Sequence, residues 1–359
     1  MIEPRILPIR LWSNCSTQHA LDQDVAYSGL VTVSVWDLHL NKRAKVWYNG
    51  EIVDWGNATV HVLTHALHYG TAVFEGVRCY RTNEGPSIFR LYDHVWRLIN
   101  SAKIYLMNLG YEADEIAEAI KETVKANDLD ECYIRPIAFY GYGEMGVSPL
   151  RNKVDLAIAA WRWDAYLGKD TSTQGARCMV SSWRRINPLT LPPQAKCSAN
   201  YANASLAKIE AVKAGYDEAI MLNTQGMVSE GTGENIFRVK RGVLSTPTAA
   251  AGILRGITRD TVIQLAADLG VECHRIEISR EELYTADELF LCGTAAEITP
   301  IREVDGRLIG NGNYPIAYEI QRAYNNAVHG RSKKHADWLS RVSSTDSGVR
   351  SNLAVTPIP

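Results

Sequence analysis

The chain has 359 residues, of which 46% are hydrophobic and 22% charged, and its formal net charge at pH 7 is −2. This length can bury a large core and favours two domains. The small net charge gives no electrostatic reason to expect nucleic acid or an anionic membrane as a partner. No apolar run approaches the roughly 18–20 residues that span a bilayer, so no membrane association is expected.

The cysteine pattern indicates a reducing compartment. The seven cysteines are scattered, odd in number and form no Cys-x-x-Cys pair. In a chain of this size that pattern predicts buried thiols and a cytoplasmic protein. The N-terminal segment is apolar, but Pro4 and Pro8 interrupt it and it lacks a secretory pattern. His61, His65 and His68 lie close together without a nearby acidic residue, so we expect no metal site.

The first half of the chain predicts a smaller α/β domain over residues 45–163. Residues 1–44 have no clear period and are expected to form an extension of unknown role. Asn49-Gly50 between apolar pairs predicts a two-residue hairpin turn. Periodic apolar residues then predict helices and strands. The helices are expected over 91–106 and 114–124, and the strands over 133–140 and 154–161.

The second half predicts a larger domain over residues 176–342, after a polar linker at 164–175 and before a loose tail at 343–359. The segment 223–226 predicts a second hairpin turn, which places Glu230 at the end of a strand. The strands are expected over 178–183, 218–222, 227–230 and 289–292, and the helices over 204–214, 258–269 and 316–328. The fold class is therefore α/β (α+β) with two domains.

Three residues in this half have complementary chemistry. Lys196 is followed closely by Tyr201, and Glu230 lies on a glycine-flanked segment. A pyridoxal phosphate enzyme needs an amine that forms a Schiff base with the aldehyde and a donor for the ring hydroxyl. It also needs an anion that keeps the ring nitrogen protonated. Most single lysines are solvated surface charges, but the composition around this one is unusual.

Two segments could bind a phosphate group. Residues 256–260 precede an apolar-periodic helix, with Thr258 able to bond a phosphate oxygen, and residues 293–296 follow an apolar strand. Ordinary turn chemistry explains either segment alone, and neither matches a Walker or dinucleotide fingerprint. Arg97 could supply a cation, although an arginine on a helix is usually solvated.

Six segments, taken together and in order, carry a family resemblance. They are 64–71 (Thr-His-Ala-Leu-His-Tyr-Gly-Thr), 73–78 (Val-Phe-Glu-Gly-Val-Arg), 133–136 (Tyr-Ile-Arg-Pro), 229–237 (Ser-Glu-Gly-Thr-Gly-Glu-Asn-Ile-Phe), 256–260 and 293–300. With the run around Lys196, the chain resembles the branched-chain amino acid aminotransferases, which are class IV aminotransferases and fold-type IV pyridoxal phosphate enzymes. The resemblance covers about residues 45–342. It implies two domains with pyridoxal 5'-phosphate at their interface, the larger one binding the cofactor.

The resemblance implies roles for the residues that match the family's motifs. Lys196 is implied as the lysine that holds the cofactor and as the general base, Glu230 as the partner of the pyridine nitrogen, and Tyr201 as the partner of the ring hydroxyl. Glu234 is given a structural or supporting role by its position. The remaining implied cofactor residues are Arg97, Leu254, Gly256, Ile257, Thr258, Gly293 and Thr294.

The resemblance also implies an aromatic substrate pocket, although core packing explains any one aromatic residue alone. Its implied residues are Phe74, Tyr69, Tyr133, Arg135, Val147, Trp163, Tyr166, Thr294 and Ala295. Arg135 is implied to receive the side-chain carboxylate of glutamate through a bidentate pair. Tyr69 and Val147 are implied to reach a second subunit, so a homodimer or higher homo-oligomer is expected.

The implied reaction is reversible transfer of the amino group from leucine, isoleucine or valine to 2-oxoglutarate. Amino acids and 2-oxo acids are then the partners. The alternatives are a related enzyme acting on D-amino acids or amines, an aminodeoxychorismate-type lyase, and an inactive relative, which would lack the lysine or the glutamate.

Overall fold

The computed structural model describes residues 44–163 and 171–343. The predicted extension and tail lie outside the described residues except for one residue each. Of the predicted linker, residues 164–170 also lie outside them.

The first sheet has eight strands, drawn from the first half of the chain and from its end. They are β1 (Lys45–Tyr48), β2 (Glu51–Asp54), β3 (Ala72–Phe74), β4 (Val77–Thr82), β5 (Gly85–Phe89), β6 (Cys132–Tyr140), β7 (Val154–Trp161) and β17 (Leu339–Arg341). Their order is β17-β5-β4-β6-β7-β1-β2, and β3 pairs with β6. The helices of this half are α1 (His65–Tyr69), α2 (Leu91–Ile104) and α3 (Ala113–Ala126).

The turn between β1 and β2 is the two-residue turn that the sequence predicts. Tyr48 pairs with Glu51, and the turn residues Asn49 and Gly50 have φ values of 50° and 99°. Positive φ at both positions is the type I′ pattern that suits the twist of a hairpin. The predicted helices and strands of this half are also confirmed, with ends displaced by a few residues. In this half α2 and α3 bury their apolar faces against the sheet.

The second sheet has nine strands. They are β8 (Ala176–Val180), β9 (Glu218–Leu222), β10 (Val228–Glu230), β11 (Asn235–Lys240), β12 (Val243–Thr246), β13 (Cys273–Arg275), β14 (Glu288–Gly293), β15 (Glu297–Val304) and β16 (Arg307–Leu308). Their order is β10-β9-β8-β15-β14-β11-β12-β13, and β16 pairs with β15. The helices are α4 (Thr171–Gln174), α5 (Ser198–Lys213), α6 (Ile257–Asp268), α7 (Arg280–Tyr284) and α8 (Pro315–Val328). Short 3₁₀ turns lie at Trp55–Asn57, Ala249–Ala251 and Lys333–Trp338.

Both faces of the second sheet are buried, which explains the apolar runs in its central strands. Phe237 of β11 and Phe290 of β14 stack at 5.0 Å in the cluster that includes residues of α6 and α8. Their chain neighbours Ile236 and Leu291 point to the other face, into a separate cluster. This is the period of two that a strand imposes on its side chains.

Three elements of the second half differ from the prediction by more than a one-residue displacement of their ends, two in their bounds and one in its sheet. Helix α5 begins at Ser198, six residues before the predicted start. The prediction missed this start because the first turns of the helix are polar and show no apolar period. Strand β8 ends at Val180, three residues before the predicted end, because the N–H of Ser182 donates to the carboxylate of Glu210. Strand β17, which the sequence analysis assigned to the larger domain, pairs with β5 of the first sheet.

The two sheets meet at the segment that carries Lys196. Val73 of β3 forms an isolated β-bridge with Cys197, and the N–H of Phe74 donates to the carbonyl of Lys196 at 2.9 Å. Nearby, Arg90 at the start of α2 donates to the carboxylate of Asp260 in the first turn of α6 at 2.9 Å. These contacts hold the first sheet against the second half of the chain, and a cavity lies between the two sheets.

Candidate active site

The cavity at this junction has a volume of about 750 Å³ including its open mouth. It is lined by all ten residues implied as cofactor contacts. They are Lys196, Glu230, Tyr201, Arg97, Leu254, Gly256, Ile257, Thr258, Gly293 and Thr294. Tyr133 and Ala295 from the implied substrate set line it as well.

Lys196 enters the cavity from the loop before α5. Its Nζ donates to the phenol oxygen of Tyr201 at 2.5 Å and lies 5.0 Å from the centroid of the Phe74 ring. Burial, and then the positive charge of Arg97, lower the pKa of Lys196 to about 8. The amine is therefore closer to its neutral, nucleophilic form at physiological pH than an exposed lysine would be.

Glu230 ends β10 and is held by three donors. Arg185 Nε donates to Oε1 at 2.9 Å, while Asn235 Nδ2 and the N–H of Leu254 donate to Oε2 at 2.9 and 3.0 Å. Burial raises the pKa of Glu230, and the Arg185 charge and the Leu254 N–H oppose this rise. Since each carboxylate oxygen can accept more than one hydrogen bond, Oε1 can accept another donor from the cavity.

Tyr201 accepts a hydrogen bond from the amine and lies near this carboxylate. Its ring contacts the Phe74 ring at 4.9 Å, and burial followed by the charge of Glu230 raises the pKa of its phenol. The hydroxyl therefore keeps its proton at neutral pH and can donate it to an acceptor in the cavity.

Arg97 projects from α2 and is locked by a buried carboxylate. Its Nε and one terminal nitrogen donate to the two oxygens of Glu75 at 2.6 and 2.8 Å, and the other terminal nitrogen donates to the carbonyl of Arg255 at 3.2 Å. The Arg97 side chain is only 12% exposed, so it is not the solvated arginine of the alternative explanation.

Helix α6 directs its N-terminus into the cavity, close to Arg97. Ile257 and Thr258 begin the helix and are buried, and Gly256 precedes them. A Cβ at Gly256 would lie 2.0 Å from Oδ1 of Asn235, so any larger residue here would displace the side chain that holds Glu230. The free N–H groups of this turn, the Thr258 hydroxyl and Arg97 form a donor set suited to a phosphate.

The implied substrate residues divide into two groups. Around the cavity, Tyr133 stacks on Trp163 at 4.8 Å, and Arg135 lies over the Phe74 ring at 4.9 Å and donates to the Tyr133 hydroxyl at 3.1 Å. The Nε of Arg135 is buried without a hydrogen-bond partner, and within the described ranges the guanidinium has no carboxylate partner. Arg135 does not itself line the cavity, but it lies next to Tyr133, which does.

Tyr69 and Val147 are not brought into the cavity of the same chain. Their side chains are exposed, Tyr69 by 42% and Val147 by 83%, and neither lines the cavity. Tyr166 lies outside the described residues.

Three side chains that support the site were not singled out by the sequence analysis. Arg185 contacts Glu230, Asn235 links Glu230 to the carbonyl of Leu254, and Glu75 holds Arg97. Asn235 and Glu75 lie inside segments 229–237 and 73–78, which carry the family resemblance, so the sequence could have indicated both residues. Arg185 has no distinctive neighbours and could only be found from the fold.

Neither a metal-binding cluster nor a membrane-spanning helix is found among the described residues. Across residues 44–163 and 171–343, no cluster of three or more His, Cys, Asp or Glu side chains could hold a metal ion. Over the same ranges, no helix has both the length and the apolar character needed to cross a membrane.

Comparison with known proteins identifies the class. Residues 72–304 match the family "Amino-transferase class IV". The branched-chain-amino-acid aminotransferase of Escherichia coli (strain K12) is 48% identical over 299 residues, which cover 83% of this chain and 97% of that protein. The chain belongs to the class IV aminotransferases.

Solved structures support the same placement. A crystal structure of the Escherichia coli branched-chain amino acid aminotransferase superposes with a TM-score of 0.82 at 47% identity, covering 84% of this chain and 100% of that one. The branched-chain amino acid aminotransferase from Thermobaculum terrenum, in its PLP-form (holo-form), superposes with a TM-score of 0.79 at 40% identity, covering 84% and 99%.

The environment of Lys196 predicts how its ionisation responds to mutation. In the cofactor-free protein, the rate of reductive methylation of Lys196, followed by peptide mass spectrometry, should rise with pH around a midpoint of about 8. Arg97→Gln should move the midpoint to higher pH, because it removes a cation and leaves the Glu75 carboxylate facing the amine. The exposed Arg331→Gln should leave it unchanged. A lower or unaltered midpoint in Arg97→Gln would contradict this explanation.

Proposed function

We propose that the protein catalyses reversible, pyridoxal phosphate-dependent transamination between branched-chain L-amino acids (leucine, isoleucine and valine) and 2-oxoglutarate. The observation that carries the choice of substrates is Arg135, a guanidinium without a carboxylate partner among the described residues, in an aromatic pocket beside Lys196. Such a pocket suits both an aliphatic side chain and the charged side chain of glutamate. The names of the relatives support the same proposal.

The chemistry of the donor set fits pyridoxal phosphate. The cavity holds one amine of lowered pKa, one protonated phenol, and one buried carboxylate with remaining acceptor capacity. The N-terminus of α6 and Arg97 provide donors for the phosphate group, and Leu254 provides an apolar contact. When bound, the cofactor supplies an electron-withdrawing ring that stabilises negative charge at the substrate's Cα.

Lys196 is proposed to carry the proton that is transferred. Once the substrate's amino group has taken its place, the Nζ amine takes a proton from the substrate's Cα and returns it on the other side of the reacting C–N bond. A pKa of about 8 suits both directions, because neither the neutral amine nor the ammonium form is strongly favoured near neutral pH.

Glu230 and Tyr201 are proposed to set the charge of the cofactor ring. The Glu230 carboxylate would favour a protonated ring nitrogen because opposite charges at close range raise the pKa of the base. Tyr201 would donate to the ring oxygen. Arg185, Asn235 and the Leu254 N–H hold Glu230 in place for this role.

The first test is an absorbance spectrum of the purified protein, taken before and after addition of L-leucine without a 2-oxo acid. The visible band of bound cofactor should convert to the pyridoxamine form and return when 2-oxoglutarate is added. Lys196→Ala should abolish the response, whereas the exposed Lys103→Ala should keep it. A band that responds to D-amino acids or amines but not to L-leucine or L-glutamate would favour the alternative reaction.

The role of Arg135 predicts a split between the two substrates. Arg135→Leu should raise KM for 2-oxoglutarate by about 10- to 100-fold, the effect of losing a charge-assisted hydrogen-bonded pair, and should change KM for L-leucine far less. Arg135→Lys should recover only part of the loss, because a lysine cannot form the bidentate pair. Equal increases in KM for 2-oxoglutarate and L-leucine in steady-state assays would argue against this role.

We further propose that the pocket is completed by a second copy of the chain, in a homodimer or higher homo-oligomer. Segments 60–69 and 142–150 form one exposed surface with several large apolar side chains. These are Val60, Val62, Leu63, Leu67, Tyr69, Tyr142, Met145, Val147 and Leu150. His65 joins the two segments, since its ring nitrogens contact Thr71 Oγ1 at 2.8 Å and the carbonyl of Gly146 at 2.7 Å. An apolar surface of this extent is typical of an interface.

Active-site complementation tests this assembly. Lys196→Ala and Tyr69→Ala should each have low activity alone. When the two variants are dissociated, mixed and reassembled, activity should return, because a mixed dimer has one site with an intact lysine and an intact partner Tyr69. A mixture no more active than its components, or a monomer in sedimentation velocity, would contradict the proposal. Mixing Lys196→Ala with Arg97→Gln, whose changes fall in the same site, is the negative control.

A reducing, cytoplasmic location is part of the proposal. Six cysteines are free thiols among the described residues, and all but Cys273 are buried. Free buried thiols are typical of reducing compartments.

A further inference from the structure

The turn between β14 and β15 contains two residues that line the cavity and ends at a residue with an unfavourable backbone conformation. Thr294 and Ala295 line the cavity, and the turn closes with Gly293 paired to Glu297. Glu297 has a φ of 52°, in the left-handed region that a residue with a side chain seldom adopts. Such a conformation persists where surrounding contacts hold it in place.

The contacts that hold Glu297 come from the other sheet. Arg78 of β4 donates to Glu297 Oε1 at 3.0 Å, and the Tyr80 hydroxyl donates to the same oxygen at 2.8 Å. Tyr80 also contacts the Tyr324 hydroxyl of α8 at 3.3 Å, and Arg78 lies over the Tyr80 ring at 5.0 Å. The carboxylate of Glu297 is thus fixed by two side chains of one strand.

Arg78 is well placed to connect this anchor to the substrate pocket. It pairs with Tyr133 in the β4–β6 register, so the two side chains are neighbours on the same face of the sheet. Arg78 is 8% exposed, and although burial lowers the pKa of its guanidinium, the neighbouring Tyr80 and Glu297 outweigh burial and raise it. Its other acidic neighbour, Glu131, is more distant at 3.6 Å.

We propose that Arg78 and Glu297 form a positioning pair, which fixes the Gly293–Glu297 turn against the first sheet and so sets Thr294 and Ala295 relative to Tyr133. The proposal rests on the proposed function, in which this turn meets the phosphate and the α-carboxylate. Every amino acid substrate has an α-carboxylate, so the pair should act equally on aliphatic and acidic substrates. This separates it from Arg135, which acts on the acidic side chain alone.

The test uses full-length holoenzyme and four variants. Glu297→Gln keeps the size of the side chain and removes its charge, and Glu297→Gly relieves the positive φ but also removes the anchor. Arg78→Lys keeps the charge but not the geometry of the guanidinium. Arg81→Met is the matched control, because Arg81 lies on the same strand and pairs with Asp130 at the surface, where the two side chains are 69% and 59% exposed. KM and kcat are measured for L-leucine and L-glutamate, together with the dissociation constant of the cofactor.

Glu297→Gln and Glu297→Gly should raise KM for both amino acids by a common factor of roughly 5- to 20-fold, with a smaller change in kcat, and should weaken cofactor binding. The KM values of Arg78→Lys should lie between those of the Glu297 variants and those of the wild type. The KM values of Arg81→Met should equal those of the wild type. The pair is ruled out as a positioning device if both KM values stay unchanged, if only the value for glutamate rises, or if Glu297→Gly behaves as the wild type. A wild-type protein that is inactive on both substrates would count against the proposed function. In that case the dissociation constants of the cofactor, compared between the variants and the wild type, would still decide whether the pair positions the turn.

Discussion

The site depends on a carboxylate that never meets solvent. Glu75 is 1% exposed and accepts hydrogen bonds from Arg97 and His94, which lie one turn apart on α2. Burial opposes its ionisation, but Arg97 and His94 outweigh burial and lower the pKa of Glu75 to about 2. Loss of one partner from such a buried pair typically costs about 3–5 kcal/mol. Because Glu75 lies between Phe74 and Gly76, the same ion pair holds the backbone beside Phe74 and the guanidinium of Arg97 together.

The two sheets contribute different chemistry to the cavity. The second sheet and its helices present Glu230, the N-terminus of α6 and the β14–β15 turn, whose backbones are held in a core buried on both faces. The first sheet presents the aromatic side chains around Tyr133, and its helix α2 presents Arg97. Three arginines of the first sheet and α2 (Arg78, Arg90 and Arg97) reach across to the second half of the chain. Charged contacts of this kind need correct geometry on both sides, and so they also specify how the two halves fit together.

The sequence predicts much of this arrangement where the chemistry is local. The Asn49-Gly50 turn, the strand ending at Glu230 and the glycine before α6 each follow from a few adjacent residues. Arg185 could not be predicted, because its partner Glu230 is 45 positions away and nothing beside it in the chain is distinctive. The start of α5 was missed for a related reason: its first turns face the cavity, and side chains chosen for a site do not follow an apolar period.

The attachment of Lys196 to the fold has a dynamic consequence. The carbonyl of this residue is bonded to the N–H of Phe74, and Cys197 bridges to Val73, so its backbone behaves as part of β3. With the backbone fixed, the Nζ amine changes position by rotation about the bonds of the four methylene groups of the side chain. Rotations of that kind take picoseconds to nanoseconds when unhindered, far faster than loop or domain movements. The amine of Lys196 is therefore attached to a fixed support by a short flexible side chain, and a change in its position does not require the surrounding fold to open.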